Sequence, residues 1–196
     1  MPQNTSTYHQ QFRKHLERVV LIDDEAFEEI IQCFSIKEIS KKDYLLRPFQ
    51  VCRYESYIIK GLFQTTMIDD EGRQHTLHFP HEDWWVGDFK SFRKEQESNM
   101  EIFAVEDALL LQISKSAMYQ LFDISPAFER FFRIMAENAA MALQDRLLKN
   151  YSHNAESKLL EFQKKYPSLK NRLSQKQIAS YLGVTPEYFS QMVKKK

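Results

Sequence analysis

The sequence predicts an α+β chain: an N-terminal antiparallel β-roll of jelly-roll type with flanking helices, a long connector helix, and a small all-helical unit at the C-terminus. Three observations carry this. Between residues 35 and about 114, short runs of alternating apolar and polar residues are separated by turn residues, with no helical period between them. From 125 to 151 an apolar stripe recurs at helical spacing without a break. Charge is also uneven: residues 158–196 hold nine Lys or Arg against two acids in a chain whose formal net charge is zero, so a basic end is joined to an acidic body.

Composition narrows the function classes. With 43% hydrophobic residues, fifteen Phe and nine Tyr among 196 residues, core material is ample and disorder is excluded. No apolar run approaches the roughly 20 residues that span a bilayer. The opening MPQNTSTYHQQFRKH has no hydrophobic stretch for secretion, so a cytoplasmic location and no membrane partner are expected. Cys33 and Cys52 are too few for a disulfide framework and form no C-x-x-C pair, which excludes a zinc ribbon or a four-cysteine iron–sulfur cluster. The chain has four glycines and no glycine-rich loop, so nucleotide-triphosphate and dinucleotide motifs are absent and no cofactor is expected.

Taken in order, residues 23–34, DDEAFEEIIQCF, predict an amphipathic helix capped by Asp23 or Asp24, with Phe27, Ile30, Ile31 and Phe34 inward. Strands are predicted within 36–39, 44–46, 57–59, 63–68, 75–79, 102–105 and 109–113, and Asp70-Glu71-Gly72 reads as a hairpin turn. The alternation lapses around Gly87-Asp88. A short helix is expected at 89–93, its N-terminus presenting backbone N–H groups toward an anion. His75, His78 and His81 invite a metal reading, but the odd spacing of His75 and His78 sends them to opposite faces of a strand. They are expected to be ordinary strand and turn histidines.

Ser125 and Pro126 open the longest helix as cap and first-turn proline. Its stripe is Phe128, Phe131, Phe132, Met135, Ala139, Ala142 and Leu143, and so much apolar surface with small residues beside it predicts a two-stranded dimer seam. Packing on its own β-roll is the alternative. A helix over 154–166 follows, with Ala155, Leu159, Leu160 and Phe162 inward, and Pro167 ends it. Two short helices then flank Gly183. Ser174 caps the first, which turns Ile178, Ala179 and Leu182 inward; Val184 is a plug; Thr185, Pro186 and Glu187 restart the chain. Phe189, Met192 and Val193 are the second helix's inner residues, and Glu187, Tyr188, Ser190, Gln191 and Lys194 its outer ones. This is the helix-turn-helix pattern, whose second helix enters the DNA major groove. A surface helical hairpin is the plain alternative.

Together these pieces resemble a known family. YIIKGLFQTTMIDDEGRQHTLHF at 57–79, WVGD at 85–88, AVEDALLLQI at 104–113 and the terminal helix pair are similar to the bacterial Crp/Fnr transcription regulators, over nearly the whole chain. The resemblance implies a cyclic-nucleotide-binding-like sensor roll at 1–124, a dimerisation helix at 125–151 and a helix-turn-helix domain at 152–196. It places the effector pocket at Gly87, Asp88, Phe89, Lys90, Ser98 and Asn99, and the DNA contacts at Ser174, Thr185, Pro186, Glu187, Tyr188, Ser190, Gln191 and Lys194, with the basic tail beyond. Pro186, Glu187 and Gln191 occupy the positions that face bases.

The sequence departs from cyclic-AMP-binding members, which pair an acid after the glycine with an arginine that neutralises the cyclic phosphate. Asp88 stands at the acid position, but the arginine position falls at Ser98 or Asn99, which cannot supply that charge. Lys90, Arg93 and Lys94 lie nearby, as do the bulky Phe89 and Phe92. Two glycines usual in the early strands are replaced by Asp43 and Phe49, and six residues, 167–172, leave little room for the family's β-hairpin wing. Cyclic AMP is therefore not expected. The implied partners are double-stranded DNA, a second copy through 126–151, a small-molecule effector of unspecified identity and, for an activator, RNA polymerase. A non-enzymatic regulator is the leading expectation; a cupin-like metal-dependent enzyme on the roll and a protein-interaction module stay open at this stage.

Overall fold

The computed structural model describes residues 3–194. Helices α1 (Gln3–Glu17) and α2 (Asp24–Gln32) precede eight strands: β1 (Ser35–Ile39), β2 (Tyr44–Leu46), β3 (Tyr54–Lys60), β4 (Phe63–Ile68), β5 (Gln74–His78), β6 (Trp85–Val86), β7 (Met100–Ala104) and β8 (Ala108–Ser114). The short helix α3 (Phe89–Lys94) interrupts the series, and α4 (Lys115–Ile124) and α5 (Pro126–Ser152) follow it. The C-terminal unit is α6 (Ala155–Lys165), a 3-10 turn (Leu169–Asn171), α7 (Gln175–Leu182) and α8 (Pro186–Lys194). The predicted α+β class is the observed one.

The strands make two four-stranded sheets, ordered β1-β8-β3-β6 and β2-β7-β4-β5, with every pairing antiparallel. Their facing sides and the helix-covered side of the first sheet share one core, in which Tyr57, Ile58, Phe63, Ile102, Leu110 and Ile113 are fully buried. Gly61 lets β3 turn into β4. Its φ of +114° suits glycine, and a Cβ there would stand 2.6 Å from that of Ala108.

Helix α2 forms as predicted, the Asp23 carboxylate accepting from the Ala26 N–H at 2.9 Å and Phe27, Ile30 and Ile31 turning inward. Helix α1 was not legible, because among its described side chains a polar sequence buries only Phe12 and Leu16 fully. Beside them the His15 ring lies 4.8 Å from Tyr57 and 5.4 Å from Phe131, centroid to centroid. Helix α4 also escaped the pattern; Ser114 caps it at the end of β8, and Met118 and Leu121 anchor it.

The long helix divides in two. Ser125 accepts from the Phe128 N–H at 3.4 Å, and Phe128, Phe131 and Phe132 pack into the roll core. Beyond Met135 the expected stripe leaves the core: Ala139 and Ala142 are exposed, and Leu143 and Leu147 are 67% and 55% exposed. Two inward assignments are corrected. Leu160 is 53% exposed and Val193 lies at the rim, because Leu159, Phe162, Phe189 and Met192 already fill the interior.

Two residues of the early strand turns hold left-handed backbone. Phe49 holds φ +65°, and the second left-handed residue is Lys42 at φ +76°, one place before the expected Asp43. A side chain in this region costs on the order of 1 kcal/mol, and the Phe49 ring is 73% exposed and contributes little packing. Phe49→Gly is therefore expected to raise unfolding free energy by about 0.5 kcal/mol or more, despite glycine's greater unfolded-state entropy. Urea denaturation of the two proteins checks this, and a destabilised variant contradicts it.

Candidate nucleic-acid interface and effector pocket

The terminal helix pair is built around a glycine turn. Gly183 takes φ +71°, and the Val184 N–H reaches back to the Ala179 carbonyl at 3.0 Å. Ser174 and Gln177 form a reciprocal capping box on α7, while the Thr185 hydroxyl accepts from the Tyr188 N–H at 3.2 Å on α8. With Phe189 and Met192 buried, helical spacing turns Pro186, Glu187, Tyr188, Gln191 and Lys194 to solvent. Ser190 is half-buried and donates to the Gln175 side chain at 3.4 Å, so it joins the two helices. The tail residues Lys195 and Lys196 lie outside the described residues.

In the roll, Asp88 caps α3. Its carboxylate accepts from the backbone N–H groups of Lys90 and Ser91 at 3.0 and 3.1 Å and from the Ser98 hydroxyl at 2.6 Å. Both side chains are buried. Three donors thus satisfy the acid without a cation, and Ser98 in turn accepts from the Met100 N–H at 2.9 Å. A cavity of about 410 Å³ lies beside Gly87, lined by Leu46, Cys52, Arg53, Ile102 and Gln112 among others. Of the six residues assigned to the pocket, Gly87 lines it. Phe89 instead faces the Phe132 ring at 6.1 Å, and Lys90 and Asn99 are exposed.

Sequence reasoning missed a buried carboxyl beside this site. Glu55, 5% exposed, lies against Gly87, where a Cβ would meet both of its oxygens at 2.8 Å. Burial, and then the charge of Asp88, push it up to about 8. The three histidines part company: His75 bonds Asp69 at 2.8 Å, His81 bonds the Phe79 carbonyl at 3.0 Å, and burial, then Arg146, push His78 down to about 4.

The terminal unit is seated on the roll. Leu62, Phe79 and Val105 enter its core with Leu159, Phe162 and Leu182. The Gln177 amide donates to Gln64 at 2.9 Å, and the Ser180 and Thr76 hydroxyls meet at 2.7 Å. Arg172, just before α7, donates to both Glu106 oxygens at 2.6–3.2 Å and to the Glu82 oxygens at 2.8 and 2.9 Å. These hydrogen bonds, Glu106 first, raise the guanidinium further above its ordinary range. Burial pushes Glu82 up, but Arg172 and the Gly61 N–H outweigh it and hold the carboxyl below its usual value. The partners are 66 and 90 residues away, so no local pattern announced them.

Residues 36–125 match the family model of the cyclic nucleotide-binding domain. Among solved structures, the chain is similar to the c-di-GMP-responsive global regulator CLP of Xanthomonas campestris, with TM-score 0.71 and 17% identity over 88% of this chain and 91% of that one. It is also similar to FixK2 of Bradyrhizobium japonicum (TM-score 0.68, 15% identity, 83% of each chain). A third likeness is to the catabolite activator protein of Thermus thermophilus (TM-score 0.58, 15% identity, 89% of this chain and 83% of that one). At such identities the likeness is one of fold. No curated protein sequence matches the chain.

Proposed function

We propose that the chain is a dimeric, DNA-binding transcription regulator of the Crp/Fnr type, with a sensor roll at 1–124, a dimerisation helix at 125–151 and a DNA-binding unit at 152–196. The carrying observation is α8, a helix anchored by Phe189 and Met192 that offers Glu187, Tyr188, Gln191 and Lys194 to solvent. Two such helices, held about 34 Å apart by paired connector helices, read successive major grooves of a near-palindromic site. Glu187 is suited to accept from cytosine N4, and Gln191 to pair with adenine. Lys194, Thr185 and the basic tail position the phosphate backbone.

Selection of bound sites from a random duplex library tests this. Gln191→Ala is expected to change which sequences are recovered, whereas Lys194→Ala weakens all of them alike and lowers the salt dependence by about one phosphate contact per chain. If neither change alters binding, α8 is not the reading helix.

The roll reads as a sensor whose ligand is not cyclic AMP, since Asp88 is bonded to Ser98 where the resemblance would pair the acid with an arginine that neutralises the phosphate. Added cyclic AMP is expected to leave the thermal midpoint unchanged. A saturable rise in the midpoint would refute that assignment.

A further inference from the structure

Arg172 occupies an unusual place for a cation in a DNA-binding unit. It lies two residues before Ser174, the cap of α7. In the helix-turn-helix docking geometry the first helix crosses the phosphate backbone, and helix N-termini are favourable places for phosphate. An arginine here is well placed to reach a phosphate oxygen. Its guanidinium is instead filled by two carboxylates of the roll: Glu82 takes both terminal nitrogens, while Glu106 takes Nε and one of them. Arg–carboxylate and Arg–phosphate pairs share the same forked geometry, so carboxylate and phosphate compete for one set of donors.

The neighbouring contacts act in the same direction. Gln177 and Ser180 on α7 are held by Gln64 and Thr76 on β4 and β5, so the whole first helix is seated while Arg172 is paired. The roll also belongs to the part of the chain that carries the compensating acidic excess. While Glu82 and Glu106 are bound, Arg172 has no forked pair of donors left for a phosphate.

We propose that Glu82 and Glu106 act as internal stand-ins for DNA phosphate, holding Arg172 and the terminal unit against the roll and thereby restraining DNA binding. Release of Arg172 from the two carboxylates frees it as a phosphate ligand. This rests on the DNA-binding reading above and adds a regulatory contact to it.

Three full-length chains test the exchange: the wild type, the double variant Glu82→Gln/Glu106→Gln, and Arg172→Gln. A mixed-sequence duplex of about 30 base pairs is titrated by fluorescence anisotropy at several salt concentrations. The double variant keeps acceptors for the Gly61 N–H and for Arg172 but removes the charge competition. It is expected to bind about tenfold more tightly, with a salt slope steeper by about one per chain. Arg172→Gln also loosens the seam yet lacks the phosphate ligand, so its slope is no steeper than the wild type's. Without DNA, amide exchange in β5 and α7 is expected to quicken in both variants. Unchanged or weaker binding by a folded double variant overturns the proposal alone, as does unchanged exchange. If none of the three chains binds the duplex, the DNA-binding reading fails and this proposal fails with it.

Discussion

Replacing Glu55 by Gln is expected to stabilise the chain at pH 8 by about 4 kcal/mol and to change it little near pH 4.5. The carboxyl is buried against Gly87, with its Oε1 unpartnered, and its folded value near 8 stands far above the ordinary 4.5. An acid raised in this way keeps its proton in the folded state after the unfolded chain has lost it. Stability therefore falls as pH rises from about 4.5 toward 8. Each pH unit of that interval is worth up to about 1.4 kcal/mol, which sets the size of the effect.

His15 and His78 work in the opposite sense. Burial, outweighing the Asp83 charge, pushes His15 down to about 4, and His78 is held near the same value. The unfolded chain takes up those protons first as pH falls below the ordinary 6.5, so stability is lost from there toward pH 4. The wild type should be most stable near pH 6, and Glu55→Gln should lose the alkaline decline while keeping the acidic one. Urea midpoints between pH 4.5 and 8.5 measure this. A variant curve parallel to the wild type's would show that folding does not raise the Glu55 carboxyl above its ordinary value.

The second large effect is on assembly. Residues 136, 140, 143 and 147 recur at spacings of four, three and four, which puts Ala136, Ala140, Leu143 and Leu147 on one line of α5, and all four are exposed. The double change Leu143→Glu/Leu147→Glu is expected to raise the dissociation constant of the proposed dimer by more than 100-fold. Burying a leucine contributes about 1.5–3 kcal/mol, and the new carboxylates would face one another across the seam. The cost to the isolated chain is small, because neither leucine enters its core. Sedimentation gives the answer directly: a variant that stays dimeric, or a wild type that is already monomeric, removes this seam.

The proposed seam was readable only in part before folding. The apolar stripe of α5 was visible as periodicity, but its division was not. Phe128, Phe131 and Phe132 are captured by the roll, while Leu143 and Leu147 project beyond it. Periodicity reports that a face is apolar and not which partner covers it. The strands other than β6 were legible because alternation is a local property, and α1 was not because Tyr8, Phe12 and Leu16 form only a thin stripe in a polar sequence.

At the sites, short-range pattern was enough to place the Gly87-Asp88 start of α3, the Gly183 turn and the caps at Ser174 and Thr185. Those depend on neighbours a few residues away. Packing alone brings Ser98 onto Asp88, buries Glu55 behind Gly87 and sets Arg172 between Glu82 and Glu106. Each of these joins strands, turns or helices that are distant in the chain, and their hydrogen bonds and burial exist once the two sheets and the terminal unit have packed.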